Sequence, residues 1–251
     1  MTTGEYGAVV LRSVDGSRYA KFVTAEQQGV LQAERDRLQW ARANGIPTAE
    51  LLDWSTNNEW ACLLTSTVHG VLANRLPADG LWQAWPSITT ILQQLHALPA
   101  DDCPFVRGLS EMFALAEDVV ARGAVNPQFL PREVRHLPPA ELLTQLRSEQ
   151  QERLVEEEAD LVVCHGDLCL PNVMVDPATR CVTGLIDLGR LGRADRYADI
   201  ALLLGNSRGT WTDERQAIAA DNLFADDYGI TLSPGRRQFY LCLDALTWPT
   251  A

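Results

Sequence analysis

Over the first 65 residues the hydrophobic and polar positions predict a small sheet around one helix. Residues 8–11 and 19–23 read as strands joined at Asp15-Gly16, a dipeptide that favours the tight turn of a hairpin. In the second strand Tyr19, Lys21 and Val23 share one face, because side chains in a strand alternate. Residues 26–43 follow a helical rhythm that stops at Asn44-Gly45 with Pro47. At about 100° per residue, Leu31, Glu34, Leu38 and Ala41 fall in one stripe. Glu34 therefore lies on the apolar face, where an acid needs a partner. Residues 51–54 and 60–65 read as two more strands around the polar turn Thr56-Asn57-Asn58-Glu59.

Beyond Gly70 the rhythm becomes helical. Leu81, Trp85, Ile88, Leu92 and Leu95 recur at helical spacing, with Pro86 expected to kink this helix or begin its second part. Ser110 is placed to cap a helix carrying Met112, Leu115, Ala116 and Val119. Pro127, Pro131, Pro138 and Pro139 predict a loop, followed by a helix over residues 140–158. Three short apolar strands are expected at 161–164, 173–176 and 182–186. There is no internal repeat. The fold class is α+β, with a strand-rich lobe over residues 1–65 and a larger helical lobe over 66–251.

The polar residues around the last three strands carry the chemistry. Asp167 follows His165-Gly166, Asn172 lies five residues on, and Asp187 comes fifteen later with Gly189 two beyond it. That spacing matches a kinase catalytic loop and a kinase metal-binding aspartate. Phosphoryl transfer needs a carboxylate to accept the hydroxyl proton and hard oxygen ligands to hold Mg²⁺ against the phosphates of ATP. Asp167 suits the first task; Asn172 and Asp187 suit the second. His165 reads as a brace for the loop. Aspartate and asparagine also form simple turns after strands, but three at this spacing, each flanked by strands, select the catalytic reading.

Composition sharpens this picture at two points. The 251 residues include 33 acids against 21 bases, a net charge of −12 that disfavours nucleic acid and anionic membranes and attracts cationic ligands. Of the 21 basic residues only Lys21 is a lysine. A compact ammonium reaches a phosphate as a point charge, where the guanidinium fork is broader, and Glu34 is its natural partner. The 46% hydrophobic content supports a substantial core, and no apolar run approaches the roughly 20 residues of a membrane helix. With no leader pattern, the cytoplasm is the expected location, for a monomer. The six cysteines show no metal-binding spacing and read as reduced core residues.

With those residues identified, the sequence resembles the aminoglycoside phosphotransferases. The stretch His165-Gly-Asp-Leu-Cys-Leu-Pro-Asn172 is similar to that family's catalytic loop. Ile186-Asp-Leu-Gly-Arg190, Asp195-Arg-Tyr-Ala-Asp-Ile-Ala201, Glu34-Arg-Asp-Arg-Leu-Gln-Trp40 and Leu243-Asp-Ala-Leu-Thr-Trp248 extend the likeness over nearly the whole chain. Within the family, Ala124-Val-Asn-Pro-Gln-Phe-Leu-Pro131 and Leu246-Thr247-Trp248 look most like the streptomycin 3''-phosphotransferases, rather than the kanamycin or neomycin 3'-enzymes.

The resemblance implies a protein-kinase-like two-lobe fold, ATP and Mg²⁺, and transfer of the γ-phosphate to the 3''-hydroxyl of streptomycin. It implies a hinge at about residues 64–70, with the Ser66 carbonyl and Val68 amide meeting adenine. It also implies Asp244 as an acid toward the aminoglycoside, and Asp195 or Asp199 as stabilisers of the catalytic loop or of the substrate side. Arg190 is expected to neutralise phosphate or pair locally, and it is carried with Asp199 and Asp244 among the substrate-binding candidates. Gly4-Glu5-Tyr6-Gly7 resembles the family's nucleotide-covering loop, although Tyr6 stands where a small residue is expected and little chain precedes it to form the first strand. A metabolic kinase acting on choline or homoserine, and a non-catalytic nucleotide-binding relative, are the competing readings. Retention of Lys21, Glu34, Asp167, Asn172 and Asp187 argues against the last of these.

Overall fold

The computed structural model of the chain describes residues 2–3 and 8–250, so the loop expected over 4–7 lies outside the described residues. In chain order the strands are β1 (Thr2–Thr3), β2 (Val9–Arg12), β3 (Arg18–Thr24), β4 (Leu51–Thr56), β5 (Trp60–Ser66), β6 (Val71–Leu72), β7 (Leu161–Cys164), β8 (Val173–Val175), β9 (Val182–Leu185) and β10 (Gly192–Asp195). The helices are α1 (Gln28–Ala43), α2 (Ala78–His96), α3 (Leu109–Ala121), α4 (Pro139–Ala159), α5 (Tyr197–Ser207), α6 (Glu214–Tyr228) and α7 (Pro234–Leu246). They form two compact units. One runs to Ile91 and takes in Pro171–Arg190; the other comprises Leu92–Leu170 and Leu191–Thr250. The segment 64–70 lies within the first unit.

In the first unit, β1 to β5 form an antiparallel sheet in the order β1-β2-β3-β5-β4. The Asp15-Gly16 turn forms as expected. Gly16 adopts a φ of +72°, and the Asp15 carboxylate accepts the Ser13 hydroxyl at 2.6 Å and the Ser17 amide at 3.0 Å. The stripe on α1 packs on this sheet, where Leu31 joins Ala61 and Leu63, with Val23, Leu51 and Trp54 around them. Burying a leucine in such a cluster contributes about 1.5–3 kcal/mol. A second antiparallel sheet has the order β6-β8-β9. Pro47 and Thr48, just past the end of α1, tie it down. The Leu185 amide donates to the Pro47 carbonyl, and the Thr48 hydroxyl donates to the Leu185 carbonyl, both at 2.8 Å.

In the second unit, β7 pairs antiparallel with β10, and α5 and α3 pack on α7. Phe113 of α3 meets Phe239 of α7 edge to face, with centroids 6.2 Å apart. No helix among the described residues is long and apolar enough to cross a membrane.

Several expectations change. Ser110 does not cap α3, which begins one residue earlier; Glu157 of α4 accepts the Leu109 amide at 2.8 Å instead. Pro86 lies inside α2 rather than beginning a separate second part of it. Pro139 starts α4 rather than interrupting a loop, since the first helical position needs no amide donor. Strands β6 and β10 were not expected, and β10 is composed of Gly192-Arg193-Ala194-Asp195, which carries no alternating apolar pattern.

Candidate active site

Asn172 and Asp187 are brought together by strand register. Asn172 immediately precedes β8 and Asp187 lies two residues beyond β9, and Val173 pairs with Leu185. The antiparallel pairing therefore folds the fifteen-residue gap back on itself, and the Ile186 amide donates to the Asn172 carbonyl at 3.0 Å. Asp187 has a φ of +61°, a left-handed conformation that aspartate tolerates better than most residues. Its carboxylate and the Asn172 amide supply one charged and one neutral hard oxygen. These fit Mg²⁺, which takes one or two carboxylates from a protein and fills its remaining positions with water and phosphate.

Lys21 sits on β3, held between β2 and β5 by its pairings with Val10 and Leu63. Its Nζ lies 2.7 Å from Glu34 Oε2 and 3.4 Å from Asp187 Oδ1. Burial alone would lower the Lys21 pKa, but the two carboxylates outweigh it and hold the ammonium above its ordinary value. Burial lifts the Glu34 carboxyl, Lys21 opposes that shift and Asp187 adds to it. The acid on the apolar stripe thus has its partner, and the lone lysine of the chain links α1 to Asp187. Arg190 ends the 3-10 turn Leu188–Arg190, packed on α1 in the same unit.

Ser66 closes β5, donating its amide to the Glu50 carbonyl at 2.9 Å and accepting the Glu50 amide on its hydroxyl at 2.8 Å. The segment leading to Val68 is pinned where the Thr67 amide meets the Ser17 carbonyl at 2.9 Å. Val68 lies over Gly184, at which a Cβ would come 2.9 Å from both Val68 Cγ1 and the Pro47 oxygen. Only glycine permits that approach.

Asp167 is set up within the second unit. The loop leaves β7 through a left-handed Gly166 with a φ of +80°. Asp199, in the first turn of α5 and fully buried, accepts the His165 amide at 2.7 Å on Oδ2 and the Gly166 amide at 2.9 Å on Oδ1. His165, also fully buried, accepts the Asp167 amide on Nδ1 at 3.3 Å, consistent with a bracing part. Asn206, seven residues after Asp199 on α5 and so two turns along the same face, accepts the Leu170 amide at 3.0 Å. One helix therefore grips the loop on either side of Asp167.

Asp195, Asp199 and Asp244 are all buried. The Asp199 carboxylate is enclosed beneath the loop it holds, as expected of a stabiliser of that loop, three residues into α5 rather than at its cap. Asp244 is buried, with Arg107 at 3.3 Å from Oδ1 and the Trp248 indole donating to Oδ2 at 2.9 Å. Asp195 pairs with Arg236 at 2.5 Å and accepts the Tyr197 amide at 2.8 Å, which places it in the frame of the unit.

Residues 2–240 match the phosphotransferase enzyme family. A streptomycin 3''-kinase of Streptomyces griseus is 53% identical over 248 residues, covering 99% of this chain and 91% of that protein. The chain belongs to the aminoglycoside phosphotransferase family. An aminoglycoside 3'-phosphotransferase of Streptomyces fradiae is more distant, at 38% identity over 79% of this chain and 76% of its own length. A solved aminoglycoside phosphotransferase, APH(3'')-Id from Streptomyces rimosus in complex with ADP and streptomycin, superposes with a TM-score of 0.93. It is 53% identical, with 98% of this chain and 94% of that one covered. The fold of this aminoglycoside phosphotransferase is accordingly kinase-like and α+β.

In this aminoglycoside phosphotransferase the sequence missed the supports more than the site. Asn206, Gly184, Glu157 and Arg107 act through partners far away in sequence, and no spacing rule pairs them. The group of His96, Cys164 and Asp199 has its ligand atoms within 4.8 Å of one another. Its atoms hydrogen-bond among themselves and to the loop, and imidazole and thiol are poor ligands for Mg²⁺.

Proposed function

We propose that this enzyme transfers the γ-phosphate of ATP to the 3''-hydroxyl of streptomycin. The observation that carries the chemistry is the linked set of Lys21, Glu34 and Asp187, with Asp167 on a loop fixed by Asp199. The acceptor is favoured by the higher identity to the streptomycin 3''-kinase than to the 3'-enzyme. The charge of −12 also suits a cationic sugar.

In this reading Asp167 accepts the proton of the substrate hydroxyl as its oxygen bonds to the γ-phosphorus. The bond from that phosphorus to the β,γ-bridging oxygen breaks, and ADP leaves with the electron pair. Lys21, fixed by Glu34, holds phosphate oxygens. Asn172 and Asp187 would hold Mg²⁺, which when bound offsets phosphate charge. The Ser66 carbonyl and Val68 amide would hold adenine through backbone atoms, while the Ser66 hydroxyl and the Val68 side chain serve the packing described above.

ADP release with Mg²⁺-ATP is the test, with streptomycin, kanamycin, choline and homoserine as acceptors and ³¹P NMR to locate the phosphate. Turnover of streptomycin is expected, with kcat falling roughly 10²-fold or more in Asp167→Ala. A folded chain that phosphorylates kanamycin but not streptomycin would move the acceptor to the 3'-class. A folded chain that turns over none of the four would leave a non-catalytic binder.

A further inference from the structure

His96 ends α2 and is buried, although the chemistry above makes no use of it. Its Nε2 lies 3.2 Å from Asp199 Oδ2, the oxygen that also accepts the His165 amide, and its Nδ1 lies 2.6 Å from the Tyr228 hydroxyl at the end of α6. An ionised carboxylate only accepts hydrogen bonds, so Nε2 carries the ring proton toward Asp199. In the neutral ring Nδ1 then accepts, and the Tyr228 hydroxyl is its donor. Burial raises the Tyr228 pKa well above the ordinary tyrosine range, keeping that hydroxyl protonated, with Arg196 opposing the shift and Cys164, Asp199 and Asp160 adding to it. The Cys164 thiol, 3.9 Å from Nε2, donates instead to the Asp195 carbonyl at 3.3 Å.

We propose that His96 is a positioning residue for the catalytic base, acting through Asp199 on the amides of His165 and Gly166 and held in the required tautomer by Tyr228. The proposal rests on Asp167 being that base. Asp199 is fully buried and grips the loop with both oxygens. The N–H from His96 adds a side-chain donor to the same carboxylate, so its loss frees Asp199 to turn and carries the loop with it. The reaction loses alignment while the substrates still bind. Tyr228 is itself set by stacking on Phe224, with centroids 5.3 Å apart. The relay therefore runs from α6 through α2 and α5 to Asp167.

The test uses the full chain with Mg²⁺-ATP and streptomycin, after wild-type turnover and its loss in Asp167→Ala have been measured. His96→Leu should lower kcat about tenfold, the scale of one hydrogen bond, with KM for ATP and for streptomycin unchanged. His96→Gln, which returns an N–H near the Nε2 position, should recover most of that loss. Tyr228→Phe keeps the ring stack and should lower kcat less, again without moving KM; this variant decides the matter if the His96 variants fail to fold. Unchanged kcat in both His96→Leu and Tyr228→Phe overturns the relay, as does equal loss in the folded Leu and Gln variants. If wild type turns over no acceptor, the proposed function falls and this inference falls with it.

Discussion

The Lys21 ammonium lies 2.7 Å from the Glu34 carboxylate, a contact that joins the middle of a sheet to the covering helix. Glu34 draws Lys21 to one side of Asp187, which is 3.4 Å away. Without Glu34, the ammonium has Asp187 as its remaining carboxylate and competes for the proposed metal ligand. Glu34→Gln should therefore raise KM for ATP about tenfold, the lower end for a hydrogen bond between charged groups. Lys21→Arg should not substitute for lysine, because the planar fork does not fit where an ammonium fits. Steady-state kinetics at varied ATP checks both; a Glu34→Gln enzyme with wild-type KM would remove Glu34 from nucleotide binding.

Asp187 faces both Lys21 and, in the proposed chemistry, the metal. Asp187→Asn should shift the magnesium dependence of turnover to higher concentration and lower the maximal rate, and a chelator should abolish wild-type turnover. A magnesium titration measures this directly. Full wild-type activity of the variant at high magnesium would make the role of Asp187 peripheral.

How far the sequence carried the reading follows from the kind of signal each residue leaves. Lys21, Glu34, Asp167, Asn172 and Asp187 stood out because they break a local rule: a lone lysine, an acid on an apolar stripe, polar residues fixed in spacing around strands. Strands β2 to β5 and β7 to β9, together with α1, were legible to within a residue or two because turn signals bound them. The grip of Asp199 on the loop came from the family resemblance and from no local pattern. Asp199 lies 32 residues from Asp167 in sequence and looks like an ordinary helix-start aspartate, while Glu157 caps α3 from 48 residues away. Long-range satisfaction of buried donors leaves no periodic trace. The same blindness led Ser110 to be read as a cap and left the Arg107 partner of Asp244 unseen. Strand β10 was hidden because its pairing with β7, rather than its own pattern, makes it a strand.

The turn that positions β3 gives a pH prediction. Hydrogen bonds from the Ser13 hydroxyl and from the Ser17 amide and hydroxyl hold the exposed Asp15 carboxyl down to about 2, from an ordinary value of 3.8. A depressed folded-state pKa means the ionised form is favoured by folding. Its contribution is fully present above pH 3.8 and is lost as pH falls through about 2. NMR titration of the Asp15 carboxyl should show this midpoint, and Asp15→Asn should flatten the stability change over that window. A midpoint near 3.8 would mean the turn does not hold its hydrogen bonds in solution.

Arg107 and Asp244 form a buried pair that also holds the chain's closing tryptophan. Trp248 in turn ties down the 124–131 segment: the Asn126 amide donates to the Trp248 carbonyl at 3.2 Å, and the Phe129 and Trp248 rings meet edge to face at 6.0 Å. Both segments resemble the streptomycin enzymes, and they are neighbours in the fold. Arg107→Met leaves a buried carboxylate without its cation, which costs about 3–5 kcal/mol. Asp244→Asn should also destabilise, and the double variant should lose less than the sum, because neither charge is then left uncompensated. Urea unfolding of the four proteins measures the coupling, and kinetics on the same samples should show KM for streptomycin rising as the two segments loosen. An Asp244→Asn enzyme with unchanged stability and a raised KM would instead put this carboxylate in direct contact with the substrate.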